Sequence, residues 1–123
     1  MSIESMESAQ NLSQFKEKLL IMASHAESMV TRSVRAHLDR DEPAANQALE
    51  TDEIIDQLEI QIDRIALTLL ARNTNNFELR QITCGMKIAQ DLERVGDEAS
   101  TIARRSILLM NLPSLVTPLD ITE

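Results

Sequence analysis

From Leu12 onward the small and apolar positions Leu12, Phe15, Leu19, Met22, Ala26, Met29, Ser33 and Ala36 recur at alternating steps of three and four. That spacing lines one face of an α-helix and predicts a first helix over residues 10 to 40. It should end there because Asp41 is a good N-cap and Pro43 is tolerated in the first turn of a helix but not deeper. A second helix follows from Glu42 to Arg72, with Leu49, Ile55, Leu58, Ile62, Ile65 and Leu69 on one broad apolar side. The NTNN segment interrupts this pattern, and Asn75 with Glu78 three residues later has the form of a capping box. A third helix is therefore expected over residues 76 to 110, through Ile82, Met86, Ala89, Leu92, Ala99 and Ile102. Pro113 and Pro118, with no helical period around them, mark residues 111–123 as an extended tail, and residues 1–10 read as a short N-terminal arm.

Helices of around thirty residues would be about 45 Å long, and connections this short make sequential helices antiparallel. The predicted fold class is all-α, one up-down-up three-helix bundle forming a single domain over residues 1–123. Composition agrees with this. Aromatic residues are 2% of the 123, and Gly 2 with Pro 3 leaves too few turn residues for a sandwich or barrel. Wide Leu, Ile and Met stripes on only three helices leave apolar surface over, so self-association as a two-fold dimer is expected.

Twenty acidic against twelve basic residues give a formal charge of -8, the wrong sign for a nucleic-acid-binding domain. No run approaches the roughly 20 apolar residues of a membrane span. The opening MSIESMESAQ lacks the basic-then-apolar order of a signal peptide. A cytoplasmic protein with no membrane insertion and no nucleic-acid partner is expected. Cys84 stands alone, which excludes an internal disulfide or a CxxC site; it reads as a small buried hydrophobe, turned away from Glu93.

The acidic residues are not scattered. Asp52, Asp56, Glu59 and Asp63 fall within an arc of roughly 60° on the second helix, at about 100° per residue. Like charges one turn apart repel, so this stripe opposes helix stability. Asp52 and Glu59 also border the apolar seam, which brings carboxylates near the neighbouring helix. The third helix adds Glu93 and Asp97 one turn apart, with Gln90 on the same side. Gly96, between them, costs about 1 kcal/mol relative to Ala within a helix, which makes sense where a backbone or ligand must approach closely. Clustered carboxylates without Cys or His are hard oxygen ligands suited to magnesium, manganese, calcium or oxidised iron.

The competing reading is a solvated charged face, with these acids paired to Arg64, Arg94, Arg104 and Arg105. His25 and His37 lie about 120° apart on the first helix and form no shared site by themselves. No Glu is followed by His at the third position, as a catalytic di-iron bundle would need. A Gly-rich phosphate loop, a GxSxG motif and a Cys with a His partner are likewise missing. The residues therefore point away from an enzyme, with no catalytic group among them.

The segments DEIIDQLEIQID, FELRQI and above all DLERVGDEA, with the LDRDEPAANQALE turn, resemble the PhoU family of phosphate-uptake regulators. The resemblance covers almost the whole chain. It implies a cytosolic, non-enzymatic regulator that couples a phosphate ABC transporter to its sensor histidine kinase and represses phosphate-starvation genes when phosphate is ample. It further implies a bound metal ion, with iron, manganese, magnesium and zinc as candidates, held by acid-x-x-x-Asp pairs that match Asp52 with Asp56 and Glu93 with Asp97. Glu59 joins this set as a lesser candidate on the same stripe. The usual family member carries two three-helix units in tandem, whereas residue 123 falls where a second would begin. A single-unit relative and a chain cut at the unit boundary both fit. The alternative from a different class is a metal-free helical oligomerisation or protein-interaction module.

Overall fold

The computed structural model describes residues 3–72 and 75–112. Three helices account for nearly all of them: α1 (Ile3–Asp39), α2 (Glu42–Leu70) and α3 (Asn76–Met110). Each packs along both others, in the up-down-up order that the short connections require.

The two connections are set by local chemistry. Arg40 adopts φ 52, the left-handed conformation that ends many helices. The amide of Asp41 then donates back to the Ala36 carbonyl at 3.2 Å. A left-handed arginine costs roughly 1–2 kcal/mol, and this hydrogen bond helps offset it. Asp41 is extended and its carboxylate accepts from the Ala44 amide at 3.1 Å, with Pro43 in the first turn where its missing N–H does no harm. At the other end of the bundle, Asn75 caps α3 by accepting from the Glu78 amide at 2.8 Å.

The expected starts of α2 and α3 and the end of α3 agree with the structure, but α1 begins at Ile3, so the segment expected as an arm is helical from residue 3 onward. Glu, Met, Ala and Gln there are good helix formers, and Arg72 at the end of α2 donates to Ser8 at 2.9 Å and pairs with Glu7 at 3.5 Å. The anchoring partner is distant in sequence, which is why the apolar period did not reveal it. The tail expected over 111–123 lies, beyond Leu112, outside the described residues.

The core falls into two parts. Phe15, Met22 and Met29 of α1 interlock with Ile55, Leu58 and Ile62 of α2 and Ile82, Ala89 and Ala99 of α3. Near the α1–α2 connection the buried filling shrinks to Ala36, Ala44, Ala45, Ala48 and Ala103, with Leu49, Ile107 and Met110 packed against them. Two expectations fail. Cys84 is exposed, not buried, and Ile102 is 39% exposed. Both lie on the outer face of α3 at the edge of its apolar stripe, with Ile88 (45%) and Val95 (36%) at seven-residue intervals before Ile102. A stripe read at 3.6 residues per turn does not say on which side of its edge the neighbouring helix sits.

Candidate functional site

Burial of Ile55, Leu58 and Ile62 sets the rotation of α2. It leaves Asp52, Asp56 and Glu59, each half-buried, at the rim facing α3. Burial of Ala89, Gly96 and Ser100 rotates α3 so that Glu93, half-buried, and Asp97, exposed, line the opposite rim. All five candidate acids therefore meet in one groove between α2 and α3. Asp63 extends the α2 wall.

The titration of the groove reflects this juxtaposition. Glu93 is pushed up to about 8, first by burial, then by a hydrogen bond shared with the Asp56 carboxyl and by the charges of Asp56, Glu59 and Asp97. Burial, then the charges of Asp56 and Asp97, raises Asp52, while Ser100 and Arg104 act in the opposite sense. Burial also raises Glu59, joined by Asp56, Asp63 and Asp97. Like charges crowded at partial burial raise carboxyl pKa values in this way.

Two oxygens in the groove, Asp52 Oδ1 and Glu93 Oε2, are sealed from water with no hydrogen-bond partner. Buried polar atoms in this condition are uncommon and ask for a cause, such as an ion or a strained arrangement. Among the described residues none of Arg64, Arg94, Arg104 and Arg105 pairs with these carboxylates within 4.0 Å. Among the described residues the ion pair within 4.0 Å is Arg72 with Glu7, at the end of the bundle. Arg104 reaches Asp52 only as the weakest of its influences. The donors are chemically suited to a hard cation, but as the side chains stand no three His, Cys, Asp or Glu among the described residues converge on one ligand point. Closing around an ion would take carboxylate rotamer changes. His25 and His37 sit on α1, half-buried and exposed respectively, away from the groove.

Two contributors escaped the reading of acids alone. Ser100, 1% exposed, lies beneath the groove, three residues past Asp97 on the same face of α3. Arg104 stands one turn further on. Their signal was the continuation of the i, i+3, i+4 spacing beyond the carboxylates. A Cβ at Gly96 would make ordinary van der Waals contact, 3.5 Å from Asp52 Oδ1 and 3.4 Å from Ile55 Cδ1.

The architecture and the groove together define a class: an antiparallel all-α bundle with an acid-lined channel between its second and third helices. Residues 19–106 match the PhoU domain model, and the chain belongs to the PhoU family. It is 40% identical over 99 residues to the phosphate-specific transport system accessory protein PhoU homolog of Pseudomonas aeruginosa, covering 80% of this chain and 41% of that protein. The equivalent protein of Aquifex aeolicus is 34% identical over 105 residues, covering 85% of this chain and 48% of its own. The crystal structure of PhoU from Pseudomonas aeruginosa superposes with a TM-score of 0.81 at 39% identity, over 83% of this chain and 49% of that one. The chain thus spans about half the length of these relatives. Among the described residues no helix is long and apolar enough to cross a membrane.

Proposed function

We propose that this chain is a cytoplasmic, non-enzymatic accessory of a phosphate-specific transport system, coupling a phosphate ABC transporter to its sensor histidine kinase and restraining phosphate-starvation signalling. Its relatives, accessory proteins of phosphate-specific transport systems, support the transport role. The acid groove supports a metal-dependent form of it. Asp52, Asp56 and Glu59 on one wall and Glu93 and Asp97 on the other are the residues that would hold a hard cation. What an ion supplies there is positive charge between carboxylates that otherwise repel. The chain's own contribution is to bring those carboxylates together at partial burial, where the repulsion is least screened by water.

The observation that carries this reading is the pair of sealed, unpartnered carboxylate oxygens, one on each wall. A metal titration tests it. The purified chain, stripped with chelator and then incubated with manganese, iron, magnesium or zinc, should take up an ion and melt at higher temperature. The double variant E93Q/D97N keeps shape, removes two charges and should lose that uptake. Absence of uptake by the wild-type chain for every ion would reject the metal site. Pull-down with detergent-solubilised transporter and kinase subunits tests the partners independently.

A second reading, a metal-free oligomerisation module, is favoured by one observation: the outer face of α3 carries Phe77 at 69% exposure in line with the half-exposed Ile88, Val95 and Ile102. We assign this face to a homodimer, which light scattering across a concentration series should detect. A monomer at every concentration would remove it.

A further inference from the structure

The acid groove has a floor as well as two walls. Asp52 as a residue keeps contact with solvent, but its Oδ1 is sealed and unpartnered. The Ser100 hydroxyl, on a residue 1% exposed, is in the same condition. Ser100 stands one turn beyond Gly96 on the buried face of α3, and a Cβ at Gly96 would lie 3.5 Å from Asp52 Oδ1. The lone donor and the lone acceptor therefore lie within about one helical turn of each other on the same side of α3.

Other hydroxyls in this molecule behave differently. Ser33 donates to the Val30 carbonyl at 3.0 Å and Thr51 to the Gln47 carbonyl at 2.8 Å, each satisfied on its own helix. Thr31, Thr68, Thr83 and Thr101 do the same on exposed faces. Ser100 makes no such bond to its own helix. Ser106, also without a partner, packs toward the alanine end of the bundle, away from the acids.

We infer that Ser100 is a positioning residue of the acid groove: its hydroxyl donates to Asp52 Oδ1 across the bare backbone at Gly96, holding that carboxylate with its other oxygen toward Asp56 and Asp97. A small rotation of the hydroxyl-bearing side chain completes the bond, since the pair as it stands lacks hydrogen-bond geometry. A carboxylate fixed by such a partner needs less ordering when an ion arrives, and loss of comparable outer partners weakens metal affinity by about 10–100-fold. The contact is independent of any ion; its effect on an ion rests on the metal reading above.

The experiment has two arms on the full chain. In the first, urea midpoints are measured in chelator for wild type, Ser100→Ala, Asp52→Ala and the double variant. Ser100→Ala should lower the midpoint of the wild type but leave that of Asp52→Ala unchanged, because the acceptor is already gone. Additive shifts would overturn the inference. In the second arm, manganese titration should give about tenfold weaker binding for Ser100→Ala. Undiminished manganese affinity in Ser100→Ala would also overturn the positioning role while leaving the metal site standing. If the wild type takes up no manganese, the metal reading fails, and a coupled midpoint cycle still supports the Ser100–Asp52 contact.

Discussion

Gly85 and Gly96 lie three turns apart on α3, both buried, and the helix meets opposite chemistry at each. At Gly85 it presses on hydrocarbon: an added Cβ would come within 2.6 Å of Phe15 Cζ and 2.9 Å of Leu19 Cδ1. At Gly96 it meets a carboxylate, an isoleucine and the Met29 sulfur, none nearer than 3.4 Å. The first glycine is a steric necessity, since a fully buried aromatic ring occupies the space of a side chain. The second leaves room for a methyl group, so its absence there keeps the approach to Asp52 bare. One residue type is thus required by packing in one region and not in the other.

The largest test of this contrast removes the ring. Phe15→Ala should destabilise the bundle by about 3–5 kcal/mol, the usual cost of deleting a buried aromatic side chain, read from urea denaturation. Gly85→Ala should cost about 1–3 kcal/mol through overpacking, reduced by about 1 kcal/mol of helix propensity. Combined with Phe15→Ala the same change should become neutral or favourable, because the clash has lost its partner. An equal penalty in both backgrounds would show that Phe15 is not the obstacle.

The acid groove should answer to pH where the hydrocarbon region does not. A carboxyl whose folded pKa is raised holds its proton more tightly folded than unfolded, so its contribution to stability is fully present below the unfolded value and disappears as pH climbs through the folded one. For Glu93 that window runs from 4.5 to about 8, and Asp52 and Glu59 shift in the same direction. Metal-free protein should therefore melt at progressively lower temperature across this range. Glu93→Gln, which mimics the protonated side chain, should flatten the slope. A slope unchanged in Glu93→Gln would place the pH dependence elsewhere in the chain.

The smallest expected effect belongs to the second glycine. Gly96→Ala should be neutral or stabilising by up to about 1 kcal/mol, since ordinary van der Waals contact awaits the new methyl group. Marked destabilisation would mean that Gly96 also serves packing, and the contrast with Gly85 would fail.

Helix identity was carried locally. Asp41 and Asn75 cap by bonding their own third residue onward, and period and capping are properties of neighbouring residues, so the three spans could be read without the fold. The acid stripes were readable for the same reason, as turns of one helix place their side chains in register. That the two stripes face each other across one groove needed the rotation of both helices about their buried sides. So did the rest. Residues 3–10 are helical and anchored by a distant arginine, Arg40 turns left-handed to bring α2 back against α1, and Cys84 and Ile102 fall outside the core because they lie beyond the edge of the face that α3 buries. Gly85 and Ser100 gained their meaning only from Phe15 and Asp52, contacts across the bundle between positions far apart in the chain. Periodicity decides which side chains share a face; only the packing of one helix on another decides what that face meets.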